Sequence, residues 1–194
     1  ILDFENISGI SKYDGLGKAM SNMLITDLKN HIHPRKVVFM ERSQLNKILD
    51  EQNLQKTKDF DESTAVNFGK LAGVDYVIIG SVYVLDQDCS VSSRLVNVET
   101  SEIILSKASN GIISDWLDIK SSIATDISSA LNNPVEIEQE YTDQEVSENL
   151  LLQYSKVIDK IDNGDLESAQ EITQILSAVE PDFKYFQDLI DDIT

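Results

Sequence analysis

The chain is poor in the residues that most often carry chemistry. Of its 194 residues one is cysteine, two are histidine, three are proline and one is tryptophan. A lone Cys89 allows no intrachain disulfide and no CxxC metal or redox pair. At the start of a predicted strand, with no histidine close in sequence, it reads as a buried or half-buried thiol. With His31 and His33 as the only imidazoles, histidine acid–base catalysis has few places to sit. The two form an H-x-H pair before Pro34, but no acid or thiol lies close enough in sequence to complete a metal shell. A solvated loop is the expected setting. No apolar run reaches the roughly 18 residues that a membrane-spanning helix needs, and no signal peptide is present.

Positive charge is scarce too. Lys and Arg number 16 against 34 Asp and Glu, a formal charge of −18. A nucleic-acid partner needs a basic stripe to displace counterions, and an anionic bilayer needs the same; both are disfavoured. The imbalance is uneven. Residues 1–131 hold 18 acids and 13 bases, whereas residues 132–194 hold 16 acids and 3 bases. The last third therefore reads as a separate unit, its acids either solvating helix faces or meeting a basic partner.

What is present is a regular alternation of strands and helices. Ile1–Glu5 reads as the end of a buried strand. Asp14-Gly15 precedes a helix with Leu16, Ala19, Met20, Met23, Leu24 and Leu28 on one face, the three-four spacing of an amphipathic helix. Pro34 stops it, and Lys36–Met40 is a short apolar strand. Ser43 is the expected N-cap of the next helix, which buries Leu45, Ile48 and Leu49. A cap region at Asp59–Ser63 opens a helix packing through Ala65, Phe68, Leu71 and Ala72, with Gly73 in the left-handed terminal position. Val74–Leu85 is an almost continuous apolar strand, the pattern of one covered on both faces. Asp86-Gln87-Asp88 turns it into strands Cys89–Val98 and Glu102–Ser109, joined at Glu99-Thr100-Ser101. A helix over about 114–131 carries Trp116, Ile119, Ile123 and Ile127.

The order βα β αα βββ α predicts an α/β fold with a mixed parallel and antiparallel sheet of about five strands and helices packed on it. The predicted division is an α/β domain at 1–131, an acidic linker at 132–146 and a helical segment at 147–194. In that segment Leu150, Tyr154, Val157, Ile158 and Ile161 mark one helix. Leu166, Ala169, Ile172, Leu176 and Val179 mark a second, and Phe183, Phe186, Leu189 and Ile190 a third. Gly164 to Ala169, with Pro181 following, looks like the centre of a tetratricopeptide repeat, and a plain helical hairpin fits as well. A single repeat does not bury its own face. It must dock on the α/β domain, pair with another chain or continue as an array.

The search for a catalytic motif ends without one. Gly15-Leu16-Gly17-Lys18 resembles a phosphate loop, but Ala19 stands where Ser or Thr is required and Lys12 where the first Gly belongs. Met20 occupies the third glycine of a dinucleotide fingerprint. Asp3 and Glu5 alternate along the first strand and so share a face. Asp50-Glu51 lies on the polar side of a helix, and nothing marks any of these acids as buried. Glu41-Arg42-Ser43 is the most distinctive polar cluster, either a strand exit with a helix cap or a surface presented to another subunit. Glu41, Arg42, Ser43, Asp3 and Glu5 are therefore the candidate interaction residues, with no catalytic, cofactor or metal residue assigned.

Several blocks taken in order resemble the CsgG family of bacterial envelope proteins. They are Leu2-Asp3-Phe4-Glu5-Asn6, Gly15-Leu16-Gly17 with Met23-Leu24, Glu41-Arg42-Ser43-Gln44-Leu45, Asp61 to Val66 and Gly69-Lys70-Leu71. Asp75-Tyr76 with Gly80-Ser81 and Arg94 to Thr100 continue the series, and the likeness covers roughly residues 1–110. The resemblance implies a non-catalytic, cofactor-free protein that is periplasmic or outer-membrane-associated and often lipid-anchored. Its implied partners are envelope proteins in biogenesis or secretion, with self-association into a ring or dimer as the alternative. A small-ligand sensor or hydrolase using acids near the first strand is a second alternative. Ile1-Leu2-Asp3-Phe4 reads as a strand already under way, so a leader or anchor is expected to precede it. The channel-forming member inserts membrane hairpins, which need about 9–11 residues per strand. Here one insertion point is closed by Asp86-Gln87-Asp88 and the other leads straight to the Trp116 helix, which points to a soluble module and not to a pore.

Overall fold

A computed structural model describes residues 1–51, 61–131 and 145–193. Its centre is α1 (Leu16–His31). Leu16, Ala19, Met20, Met23, Leu24 and Leu28, the predicted apolar face, are wholly buried. The helix lies against the first strand at glycine distance, because a Cβ on Gly17 would collide with the Phe4 carbonyl.

Four strands form the sheet: β1 (Glu5–Asn6), β2 (Tyr76–Leu85), β3 (Asp88–Asn97) and β4 (Ile103–Ile112), in the order β1-β2-β3-β4. β1 runs parallel to β2, and the other pairs are antiparallel. Pairing of Ile78 with Leu95 and of Val82 with Val91 puts Ile78, Val82, Val84, Cys89, Val91 and Leu95 on one face, in the main core. Val77, Ile79, Val96 and Val98 face the other way, into a second core with Leu2 and the helices α2 (Arg42–Glu51) and α3 (Glu62–Ala72). β2 is thus covered on both faces only in its first half; Tyr83 and Leu85 beyond it are exposed. The two-residue turn Asp86-Gln87 joins β2 to β3, with Asp86 at φ 55°. α3 is closed by its predicted devices: the Asp61 carboxylate accepts from the Thr64 N–H at 2.8 Å, and Gly73 is left-handed at φ 66°.

Several expectations need correction. The segment Lys36–Met40 does not join the sheet, which has four strands among the described residues. Val37 and Phe39 pack half-buried on the main core, Met40 packs on the second, and Val38 is 84% exposed. Side-chain anchoring on two cores holds the segment in place without a ladder. Ser43 is not the N-cap of α2. The Gln44 and Leu45 N–H groups both return to the Glu41 carbonyl at 3.0 Å, which puts the cap position at Glu41 and Ser43 inside the first turn. Leu71 is exposed, because α3 packs through Ala65, Val66, Phe68 and Gly69, the last close against Val77 and Val98. His31 belongs to the last turn of α1, its Nδ1 2.7 Å from the Asp27 carbonyl, and not to a loop; His33 is exposed.

α4 (Trp116–Ala130) packs on β4 and β3, and three further helices follow: α5 (Glu148–Asp162), α6 (Leu166–Val179) and α7 (Tyr185–Ile193). Residues 132–144 of the predicted linker lie outside the described residues. At its end Val146 is buried in the main core, its N–H donating to the Ser114 carbonyl. The helices do not stand apart. Tyr154, Val157, Phe183, Tyr185 and Phe186 share the core of α1 and the sheet, so docking is how the hairpin buries its face. α6 is the outer helix, lying on α5 and α7, and its predicted apolar residues Leu166 and Val179 are exposed.

Under α7 sits a buried polar junction. Lys120 is bonded to both Asp27 and Tyr185, whose hydroxyl lies 3.0 and 3.2 Å from the two Asp27 oxygens, and Lys184 reaches the same carboxylate at 3.3 Å. Lys120, Asp27 and Tyr185 are all at most 1% exposed. Burial pulls the Lys120 ammonium below the ordinary lysine range against the opposing charge of Asp27.

Candidate functional site

β1 is one end of the sheet. The chain from Leu2 to Ile7 is stitched to β2 on its inner side, Leu2 N–H to the Ile78 carbonyl and Ile7 N–H to the Val82 carbonyl, both at 3.0 Å. It also lines a cleft of about 530 Å³. Leu2 to Asn6 lie along it with Ile79 and Gly80, joined by Asn46, Leu49 and Asp50 of α2. Asp14 and Lys18 near the start of α1, and Asp162 and Asn163 at the end of α5, complete it. A second cleft of about 470 Å³ continues between α1 and α2, where Asn22, Thr26, Lys29, Glu41, Ser43 and Lys47 line it, with Asp188 of α7. Asn46, Asp50 and Asp162 line both, so the two are sections of one groove. Its making requires the α/β part and the C-terminal helices together.

The side chains are tied across it. Asn46 Nδ2 donates to Asp162 Oδ1 at 2.8 Å, and Lys18 bridges Asp159 and Asp162, the latter at 3.1 Å. Burial pulls Lys18 down, but the bond to Asp159 and the charges of Asp162 and Asp3 outweigh it and hold its ammonium above the ordinary lysine range. Asp3 accepts from Ser21 Oγ at 2.9 Å, Asn6 Nδ2 donates to Asp14 at 2.8 Å, and Lys29 donates to Glu41 at 2.9 and 3.1 Å. These pairs fasten α1 to α2, to β1 and to α5.

Of the candidate residues, Asp3 and Glu5 share the first section, as their alternation predicts, and Glu41 and Ser43 line the second. Arg42 is the first residue of α2. Sequence reasoning weighed Lys18 only in a rejected phosphate loop and Asp50 only as a solvated acid, and passed over Asn46 and Asp162. Asp50 was visible as the polar side of a helix; Asp162, 112 positions further on, carried no signal of its own.

Among the described residues no group of three or more His, Cys, Asp or Glu is placed to hold a metal ion. Cys89 is buried on the inner face of β3, and burial pushes its thiol up to about 11, so it stays protonated and inert at neutral pH. Among the described residues no helix is long and apolar enough to cross a membrane.

Comparison with known proteins locates the same region. Residues 2–93 match the family model described as "Curli production assembly/transport component CsgG", an interval from β1 into β3. The chain is similar to the C-terminal domain of LpoB from Salmonella enterica, at 18% identity and a TM-score of 0.44, over 57% of this chain and 77% of that one. No curated protein matches it. The chain is CsgG-like over residues 2–93, the part that supplies β1 and both the α1 and α2 sides of the groove.

Proposed function

We propose that this chain is a non-catalytic interaction module of the bacterial cell envelope, which holds a protein partner in the groove between β1, α1, α2 and α5. The observation that carries the reading is the groove itself. Two stretches far apart in sequence, 2–50 and 161–188, are held together across it by Asn46–Asp162 and Lys18–Asp162, so the C-terminal helices help to shape it. Its lining sets polar and charged side chains among apolar ones such as Phe4, Leu49, Ile79 and Ile161, and the charged groups can select and orient a partner. The envelope assignment rests on the family match, whose description concerns curli assembly and transport. A periplasmic or outer-membrane-associated location, with a lipid anchor as the link to the membrane, follows from it as part of the proposal. The two-residue turn between β2 and β3 favours a binding role over a pore wall.

The test is photo-crosslinking in the producing cell. A photoreactive side chain at Lys47 or Asp50, both exposed in the groove, is compared with one at Ser106, exposed on the far side of β4. One discrete adduct with another protein from the groove positions and none from Ser106 is expected. Adducts with another protein from Ser106 alone, or from no position, would overturn the reading.

A further inference from the structure

We infer that β4 is an interface for a second copy of this chain, the two β4 strands pairing antiparallel about a twofold axis at Ala108. This goes beyond the interaction reading above, because β4 lies at the end of the sheet opposite β1 and the groove. β4 has β3 on one side and, among the described residues, no strand on the other. The Ile112 N–H is turned away from β3 and donates to Asp115 Oδ2 at 3.0 Å. Val84 fixes the same phase. Its N–H leaves β3 for Ser8 Oγ at 2.7 Å, so its partner Cys89 turns to β4 and faces Gly111, the neighbour of Ile112. Alternate residues of an antiparallel strand share a direction, so Ser106, Ala108 and Asn110 also point their N–H and C=O groups outward. All three are exposed, and among the described residues nothing bonds their main chain on that side.

The strand is complementary to itself in one register. With Ala108 opposite Ala108, Ser106 meets Asn110 and Lys107 meets Ser109, so no charge faces its like. Ile104 and Ile112, 44% and 42% exposed, come opposite each other at both ends. The three outward pairs exchange about six main-chain hydrogen bonds and join two four-stranded sheets into one. Moving the axis to Lys107 sets that lysine against its own copy, and like charges directly opposite are destabilising. The usual guards of a strand edge are proline, lysine and bulges. β4 has no proline, its Lys107 is paired with Asp126 of α4 at 3.6 Å, and its irregularity lies beside Leu95 and Val96, outside Ser106–Asn110. No acid lies within β4 in a chain of formal charge −18, so the strand itself brings no carboxylate to the axis.

Sedimentation equilibrium of the whole chain tests this. A monomer–dimer equilibrium is expected, and it should strengthen as salt rises, because salt screens the repulsion between two acidic copies. A108P should weaken it by about tenfold or more with circular dichroism unchanged, since the lost N–H points outward and serves no bond within the chain. A108K and A108E do not depend on proline being tolerated. Each alone should lose the dimer, and an equal mixture of the two should regain it, because residue 108 of one copy faces residue 108 of the other. A chain that stays monomeric up to about 1 mM, a dimer indifferent to the Ala108 variants, or a mixture that does not reassociate would each overturn the inference. In the cell, the photoreactive group at Ser106 should capture a second copy of the chain. That adduct and the groove adducts are separate readouts, so either reading can fail and leave the other standing.

Discussion

The buried junction of Asp27, Lys120 and Tyr185 and the groove network around Lys18 use the same chemistry in opposite settings. The first ties α1 to α4 through Lys120 and Asp27 and to α7 through the Tyr185 hydroxyl; the second ties α1 to α5 through Lys18 and Asp162. In the first, every member is sealed from water, so each charge depends on the others being in place. In the second, Asp162 is 14% exposed and Lys18 22%, but the Asp159 side chain is 49% exposed, so water reaches one side of the network. The contrast teaches that docking of α7 is settled inside the molecule, whereas the groove keeps its charges in reach of a partner.

The sharpest way to break that contrast is K120M. It leaves the Asp27 carboxylate buried without its nearest cation, and urea unfolding should show a loss of about 3–5 kcal/mol. The double variant D27N/K120M should recover part of it, since no charge is then stranded. A loss below about 1 kcal/mol in the single variant would place the junction with ordinary surface pairs. Next in size is L24A or I78A, each in the main core, with an expected loss of about 2–5 kcal/mol. V38A, on the 84% exposed Val38, should stay within about 0.5 kcal/mol and serves as the control. K18M, in the groove, should cost less than K120M in the same experiment, because solvent reaches Asp159 and part of Lys18, whereas Asp27 and Lys120 are sealed; a cost as large as that of K120M would erase the distinction drawn here. The smallest effect concerns Asp61. The Thr64 N–H holds its carboxyl below the ordinary 3.8, so its capping contribution is complete above that value and is lost as pH falls through the lower folded one. Amide exchange in the first turn of α3 should quicken across that acid window, and not in D61N, which keeps an acceptor at the cap without titrating.

Legibility followed the range of the forces. α1 was readable from six apolar residues at helical spacing, and all six are buried. The turn at Asp86-Gln87 and the left-handed Gly73 were readable too, because their requirements lie within a few residues. Lys36–Met40 was not, since an apolar run satisfies its pattern equally by pairing in a sheet or by packing side chains on two cores. Ser43 failed for a related reason: Glu41, Arg42 and Ser43 stand together, and local preference did not settle where the first turn begins. Half of the groove was visible as Asp3, Glu5 and Glu41. Its other half, from Asn46 to Asp162, had no pattern to find, because a polar residue on a solvated helix face looks the same whether or not another helix stops beside it.

By itself the amino-acid order determined most of the elements, though not the fate of Lys36–Met40, together with the mixed α/β sheet and its appended helices, since these follow from spacing, turn chemistry and residue type. Only the tertiary structure decided that the C-terminal helices share the main core, that Lys120 is buried against Asp27, and that two distant acidic stretches face each other across one groove. Those outcomes depend on which surfaces exclude water from one another, and that is a property of packed surfaces brought together from distant parts of the chain.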